Sequence, residues 1–134
     1  HDIEASWLLC EAAEIYGDPE LLKHVRREAV CMAEAVYKEG IDAKGGLVYE
    51  AKNGQIIDSD KHWWPQAEGV VGFLNAYQIS GQYHFRAAAH STWGFIDQYI
   101  IDREHGKWLS KVARNGVPSN KYKVDRWKCP YHNG

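Results

Sequence analysis

Helical periodicity, interrupted by short stop signals, is the feature that most constrains how this chain can fold. Four stretches carry apolar residues at three- and four-residue intervals: 3–16, 19–38, 65–79 and 83–101. The first two are separated only by Gly17, which suits a helix end, and by Asp18, which can cap the helix that Pro19 begins. Ser80 and Gly81 separate the other two stretches in the same way. Helices joined by such short links turn back on each other, so the sequence predicts two antiparallel helical pairs.

The segment between the two pairs has a different period. It reads "GGLVYEAKNGQIIDSD", and the Asn-Gly step between its two apolar stretches favours a tight hairpin turn. We therefore expect the following further elements: a β-hairpin at 46–57, a turn and short strand in 102–112, an irregular stretch at 113–126 and a helix start at Pro130. Strand–helix–strand alternation is missing, which disfavours a parallel sheet. The predicted class is all-α: an array or toroid of helical hairpins with small β-hairpin insertions.

Charge and composition disfavour several kinds of partner. The net charge of -2 gives no reason to expect nucleic acid or an anionic membrane. No apolar run approaches the roughly 20 residues that a membrane span requires. Cys10, Cys31 and Cys129 are widely spaced and are typical of reduced thiols in a cytoplasmic protein. The six tryptophans and eight tyrosines indicate a pocket lined by aromatic rings.

Two segments combine aromatic rings with groups that can transfer protons. "HDIEASW" places His1, Glu4 and Trp7 along one side of a helix, where residues three or four apart are neighbours. "KHWWPQAEG" places Trp64 at a helix start and Glu68 one turn further, on a similar face. Glu4 alone would also suit the positive end of the helix dipole. Each segment is therefore a candidate for function only in combination with others.

Two further segments carry histidine and tryptophan. "DRWKCPYHNG" holds Trp127 and His132 around another helix start, and "HGKW" holds Trp108. Three of the four segments lie at helix N-termini, where rigid scaffolds often mount functional groups, so we expect one shared site at one end of the helices. His1, Glu4 and His132 are also residue types that bind metals, but the local HExxH spacing of a zinc site is missing and we expect no metal.

Several other polar or aromatic residues have ordinary structural interpretations. Trp93 lies in the middle of a predicted helix and is expected in the core. His24, His84 and His90 are expected on helix surfaces without special neighbours, and His62 is expected to do no more than cap a helix. None of these five residues is therefore a predicted site residue.

Together, "HDIEASWLL", "KHWWPQAEG" and "DRWKCPYHNG" resemble the N-acylglucosamine 2-epimerase superfamily, and within it the cellobiose 2-epimerase branch. The resemblance covers 1–134 as a single partial domain. It implies an (α/α)6 barrel without a cofactor, of which this chain corresponds to the C-terminal third. On that expectation the chain is a fragment. The part of the barrel before it, which supplies an arginine, a tyrosine and another histidine in the family, is then absent, as are the last helices.

The resemblance also implies a role for each matching residue. His1 and His132 match the two histidines that act as acid and base in the family. The other matching positions line the substrate cleft: Glu4, Trp7, Trp64, Glu68 and Trp127. Of these, the resemblance implies that Trp64 and Trp127 are stacking platforms. Trp108 matches no residue of assigned role.

Two histidines suit inversion at C2 of an aldose. After ring opening, one base removes the C2 proton beside the aldehyde, and a second group returns a proton to the opposite face. Imidazole, with an ordinary pKa of about 6.5, is well matched to this task near neutral pH. The expected function is interconversion of the glucose and mannose configurations at the reducing-end residue of a β-1,4-disaccharide such as cellobiose. The isolated fragment is expected to be inactive and to self-associate through exposed barrel-facing surface.

Three alternatives stay open. One is an N-acylglucosamine 2-epimerase or aldose–ketose isomerase of the same superfamily. Another is a helical module that binds carbohydrate through its aromatic rings without catalysis. The last is a glycoside hydrolase using paired carboxylates such as Glu4 and Glu68, which the two histidines disfavour.

Overall fold

A computed structural model of the 134-residue chain describes residues 1–119, 122–124, 126–128 and 130–132. Four α-helices form at close to the predicted positions: α1 (Asp2–Tyr16), α2 (Pro19–Gly40), α3 (Trp63–Ser80) and α4 (Tyr83–Phe95). A π-helical turn, Ile96–Ile100, continues from the end of α4. Among the described residues, no helix combines the length and the apolar character that crossing a membrane requires. Helices α1 and α2 pack on each other, as do α3 and α4, so the predicted helical pairs are confirmed.

In the described part of the chain, four short strands form two small antiparallel sheets: β1 (Glu50–Lys52) with β2 (Gln55–Asp58), and β3 (Lys61–His62) with β4 (Lys111–Val112). The first sheet is the predicted hairpin, shorter than expected, with Asn53 and Gly54 at positive φ in its turn. The strand expected in 102–112 is β4. Its partner β3 was not predicted, because two residues are too few to show an alternating pattern. The helix start at Pro130 is a 3-10 helix, Pro130–His132. Of the cysteines, Cys10 and Cys31 are free thiols and Cys129 lies outside the described residues.

The link between α1 and α2 shows why the helices pair. Gly17 adopts a left-handed conformation, with a φ of 81°, and ends α1. The carboxylate of Asp18 then accepts hydrogen bonds from the backbone N–H groups of Glu20 and Leu21, which caps α2. A chain that reverses over so few residues brings the two helices side by side in opposite directions.

Helix α3 lies at the centre of the packing and contacts α1, α2 and α4. One apolar cluster fills the space between the helices and includes Ile3, Ala33, Leu47, Phe73 and Phe85. A second cluster lies near the start of α3 and comprises Trp63, Phe95, Ile96, Ile100 and Val112. The first turn of α3 thus packs on the side chains of this second cluster.

The expectation that Trp93 is buried is wrong, because 49% of this residue is exposed. Three- and four-residue steps from Ala89 reach both Thr92 and Trp93, and the buried position is taken by Thr92. The Thr92 hydroxyl donates to the backbone carbonyl of Gly45 at 3.3 Å. The close approach of that loop leaves room for a small side chain and directs the indole outward.

The expectation that His84 has no special neighbours is also wrong. Its Nε2 lies 2.7 Å from a carboxylate oxygen of Glu34 on α2, and its ring centroid is 4.8 Å from that of Tyr37. The hydrogen bond with His84 lowers the pKa of the Glu34 carboxyl group. His84 therefore links α4 to α2 on the side of the protein where both helices are partly exposed.

Two glycines in helices test the packing at the centre of the fold. A Cβ atom on Gly72 of α3 would lie 2.7 Å from the carbonyl oxygen of Ile3, whereas a Cβ on Gly94 of α4 meets no atom within 4 Å. We expect Gly72→Ala to lower the free energy of unfolding by about 1–3 kcal/mol through overpacking. Gly94→Ala should raise it by about 0.5–1 kcal/mol through helix propensity. Urea denaturation measures both, and equal effects would contradict the proposed approach of α1 to α3.

Candidate active site

The buried carboxylate of Glu68, in the second turn of α3, joins three parts of the chain. Trp7 on α1 donates its indole N–H to Oε2 of Glu68 at 2.7 Å. His132, in the 3-10 helix, places Nδ1 2.7 Å from the other carboxylate oxygen. A buried carboxylate is costly unless its oxygens are paired, and here both oxygens have a partner. The two bonds fix the position of the carboxylate and of the imidazole.

The ring of His132 is held by aromatic contacts as well as by Glu68. It meets Trp63 edge to face at a centroid distance of 5.0 Å, and its centroid lies 6.1 Å from that of Trp64. Only 15% of its side chain is exposed. When Nδ1 carries the proton that is shared with Glu68, Nε2 has a lone pair and can accept a proton. The arrangement therefore suits His132 to general acid–base chemistry.

His1 also approaches the ring of Trp64. Its Nδ1 is 3.2 Å from a carboxylate oxygen of Glu4, and its ring centroid is 4.8 Å from that of Trp64. In contrast to His132, 84% of its side chain is exposed. Trp64 thus contacts two imidazoles that have different surroundings, and each of them has its own carboxylate partner.

These groups surround an open cavity of about 450 Å³ at one end of the helices. The cavity is lined by the following residues: His1, Glu4, Tyr49, His62, Trp63, Trp64, Ser110, Lys111, Trp127 and His132. A neighbouring cavity of similar volume shares His1, Tyr49 and Trp64 with it. Aromatic walls with a few polar groups are typical of small-molecule sites.

The structure brings the seven predicted site residues together, but in two layers. Five of them line the cavity: His1, Glu4, Trp64, Trp127 and His132. Trp7 and Glu68 are not among the lining residues. Trp7 donates to Glu68, and Glu68 in turn bonds to the Nδ1 atom of His132, which does line the cavity. Trp127 is exposed, and Trp108 packs on the apolar cluster beneath the site.

Five lining residues were not predicted from the sequence: Tyr49, His62, Trp63, Ser110 and Lys111. Tyr49 stacks on His62 with the ring centroids 4.0 Å apart, and Ser110 and Lys111 reach the cavity from the second small sheet. Lys111 also forms an ion pair with Asp60. Only His62 and Trp63 carried a signal, since both belong to the motif "KHWWPQAEG". The others depend on loop conformations that periodicity does not encode.

Glu4, Glu68 and His132 offer three potential metal-binding atoms, all within 4.8 Å of one another. This group differs from the set His1, Glu4 and His132 that the residue types suggested. A metal ion bound there would compete with the hydrogen bonds that Glu68 accepts from Trp7 and shares with His132. That the site works without a metal stays a prediction.

The bond between Trp7 and Glu68 can be tested by removing one hydrogen-bond donor. Trp7→Phe keeps an aromatic ring but leaves a buried carboxylate oxygen of Glu68 without its donor. We expect the free energy of unfolding to fall by about 1–3 kcal/mol. Trp93→Phe is the matched control, since Trp93 is half exposed, and it should change stability by less than about 0.5 kcal/mol. Equal losses in urea denaturation would show that the bond does not carry the effect.

Comparison with known proteins gives consistent results for sequence and fold. The family model described as N-acylglucosamine 2-epimerase (GlcNAc 2-epimerase) matches residues 1–133. Cellobiose 2-epimerase of Dictyoglomus turgidum is 43% identical over 135 residues, which cover 100% of this chain and 34% of that protein. The chain therefore spans about a third of the length of the curated relatives it matches.

Solved structures agree with this match. A sugar epimerase from a ruminal bacterium superposes with a TM-score of 0.93 at 41% identity, covering 99% of this chain and 34% of that one. Cellobiose 2-epimerase from Bacillus thermoamylovorans B4167 superposes with a TM-score of 0.87 at 39% identity, with the same coverage of each chain. The predicted fold, helical hairpins that form part of an (α/α)6 barrel with small β insertions, is confirmed by this likeness.

Proposed function

The chain belongs to the N-acylglucosamine 2-epimerase family, and from this premise we propose that the longer protein containing it inverts the configuration at C2 of an aldose. The substrate that we propose is the reducing-end residue of a β-1,4-disaccharide such as cellobiose. Relatives that are 43% and 39% identical to this chain are named cellobiose 2-epimerase, which supports this choice. One observation carries the chemistry. His1 and His132 approach the same indole ring, that of Trp64, in one cavity and from different surroundings.

His132 is the group we propose to exchange a proton with one face of C2. Its bond to the buried Glu68 leaves Nε2 as the reactive nitrogen. The contact with Trp63 and the bond that Trp7 makes to Glu68 restrict how the ring can turn. A base that is already oriented does not have to lose rotational freedom when the transition state forms.

His1 is the group we propose to serve the opposite face. Glu4 lies beside Nδ1 and can accept a hydrogen bond from it, which leaves Nε2 of His1 to accept a proton and to return it. The two histidines would then change roles when the reaction runs in reverse.

The aromatic rings are proposed to hold the sugar while C2 reacts. The apolar face of a pyranose packs on the face of an indole, and Trp64 and Trp127 are the two platforms that we assign. The enediolate that forms at C1 and C2 needs hydrogen-bond donors where negative charge develops. Lys111 lines the cavity and carries such donors, although it is also paired with Asp60, whereas the Ser110 hydroxyl already donates to the backbone carbonyl of Tyr122.

The alternatives differ in what they require of the same residues. A glycoside hydrolase would need Glu68 as a free acid or nucleophile, and both of its oxygens are already engaged. An aldose–ketose isomerase would use the same C2 deprotonation but return the proton to C1. A binding module would need the platforms and neither histidine. That the protein is cytoplasmic and that the fragment self-associates stay predictions.

Deuterium incorporation at C2 of cellobiose tests the two-histidine proposal. In the full-length protein, His1→Ala or His132→Ala should reduce formation of the C2 epimer by about 10²–10⁴-fold or more, because a positioned acid–base group is lost. Trp127→Ala should weaken substrate binding and slow turnover only partly, since it removes a platform and no proton carrier. NMR in deuterated water follows the label. Undiminished formation of the C2 epimer by His132→Ala would contradict the proposal, and label at C1 would favour the isomerase.

The 134-residue chain alone should show no exchange in the same assay. It spans about a third of its relatives, so part of the cleft that we propose is missing and the site is open to water. The matched control is the full-length protein at equal concentration. Exchange by the isolated chain above the level of the His132→Ala variant would refute the need for the rest of the barrel.

A further inference from the structure

A buried ion pair lies outside the cavity and has no place in the chemistry proposed above. Lys61, in β3, is fully buried and places Nζ 2.7 Å from a carboxylate oxygen of Asp42. The same Nζ donates to the backbone carbonyl of Gly46 at 2.7 Å. Burial lowers the pKa of the Lys61 ammonium, and the hydrogen bond and charge of Asp42 oppose that effect. The pair therefore holds two points of the loop 42–48.

Gln66 holds the next residue of that loop. It is fully buried in the first turns of α3, and its Oε1 accepts from the backbone N–H of Leu47 at 2.8 Å. Its Nε2 donates to the carbonyl oxygens of Leu47 and His62 at 2.9 and 3.0 Å. Lys61 and Gln66 thus attach consecutive residues, Gly46 and Leu47, to the start of α3.

The loop leads directly to a wall of the cavity. Tyr49 follows Leu47 by two residues, stacks on His62 and meets Trp64 edge to face at 6.4 Å. Tyr49, His62 and Trp64 are named here the aromatic wall, and all three line the cavity. Lys61 and His62 are adjacent in β3, and side chains of adjacent strand residues point to opposite faces. One face of this short strand is therefore buried in the loop, and the other forms the wall.

We propose that Lys61 is a positioning residue for the aromatic wall. Its ammonium fixes the loop through Asp42 and Gly46, and the loop keeps Tyr49 stacked on His62 beside the sugar. Substrate affinity thereby depends on a charge that does not touch the substrate. The kinetic part of this inference rests on the proposed function, and its structural part does not.

A purely stabilising role would give a different result from a positioning role. Removing both charges of a buried pair is often close to neutral for stability, whereas removing one leaves the other unpaired. Lys61→Met with Asp42→Asn removes both charges, and asparagine keeps the Oδ1 acceptor that Asp42 offers to the backbone N–H of Lys44. The bond from Lys61 to Gly46 is still lost. The double variant thus avoids an unpaired buried charge, and its remaining loss is the bond to Gly46.

The experiment compares the full-length wild type, Lys61→Met, the double variant and the control Lys38→Met. Lys38 lies four residues before the loop, but its side chain is two-thirds exposed and pairs with Glu34 on the same helix. Amide hydrogen exchange of the peptide covering 42–49 is measured together with KM and kcat for C2 exchange. In the double variant we expect amide exchange in this peptide to rise about tenfold, as loss of a hydrogen bond to a charged group implies. The KM of the double variant should rise roughly tenfold, and its kcat should stay within about threefold of the wild-type value. The reason is that the aromatic wall is proposed to bind the sugar and contains neither of the two proposed proton carriers.

Each outcome decides one part of the proposal. Wild-type amide exchange in the 42–49 peptide of the double variant would overturn the role of Lys61 in fixing the loop. Faster amide exchange with an unchanged KM would overturn the link from loop to wall. A wild-type protein that shows no C2 exchange would refute the proposed function, and the amide exchange would still decide whether Lys61 fixes the loop. The Lys38→Met control should match the wild type in every measurement.

Discussion

The buried carboxylate of Glu68 is the interaction on which the candidate site depends. It bridges Trp7 and His132, which lie 61 and 64 residues away from it in the sequence. Each bond compensates part of the cost of removing the carboxylate from water, so loss of one partner leaves a buried polar atom unpaired. The packing of α1 on α3 and the seating of the 3-10 helix are therefore coupled. The orientation of His132 follows from the packing of the helices.

Small residues on the same face of α3 allow this arrangement. A Cβ atom on Gly72 would lie 2.6 Å from the side chain of Ile3, and one on Gly69 would lie 2.6 Å from that of Leu47. Gly72 follows Glu68 by one helical turn, so the face that carries the carboxylate continues into the closest contact with α1. Because Gly69 has no side chain, the loop that Lys61 and Gln66 hold by hydrogen bonds can pack closely against α3. One helix thus sets both the depth of the carboxylate and the position of the aromatic wall.

The extent to which the site could be predicted follows the distance over which its residues interact. The contact of His1 with Glu4 is a neighbour relation within one helix, and the Asn-Gly turn is also local, so both were accessible from the sequence. The resemblance pointed to Trp7 and Glu68 as cleft residues, but their mutual bond crosses between helices and has no local signature. Tyr49 depends on a loop conformation, which periodicity does not encode. Trp93 was placed wrongly because residues 92 and 93 fit the helical period equally well.

We propose that Glu68 holds His132 with the proton on Nδ1 and leaves Nε2 as the reactive nitrogen. Nitrogen-15 NMR of the histidine side chains in the full-length protein reads this directly, because protonated and unprotonated ring nitrogens have well-separated shifts. For neutral His132, assigned by comparison with His132→Ala, we predict a protonated Nδ1 and an unprotonated Nε2, with the preference weakened in Glu68→Gln. A neutral ring protonated on Nε2, or a preference that Glu68→Gln leaves unchanged, would contradict the account.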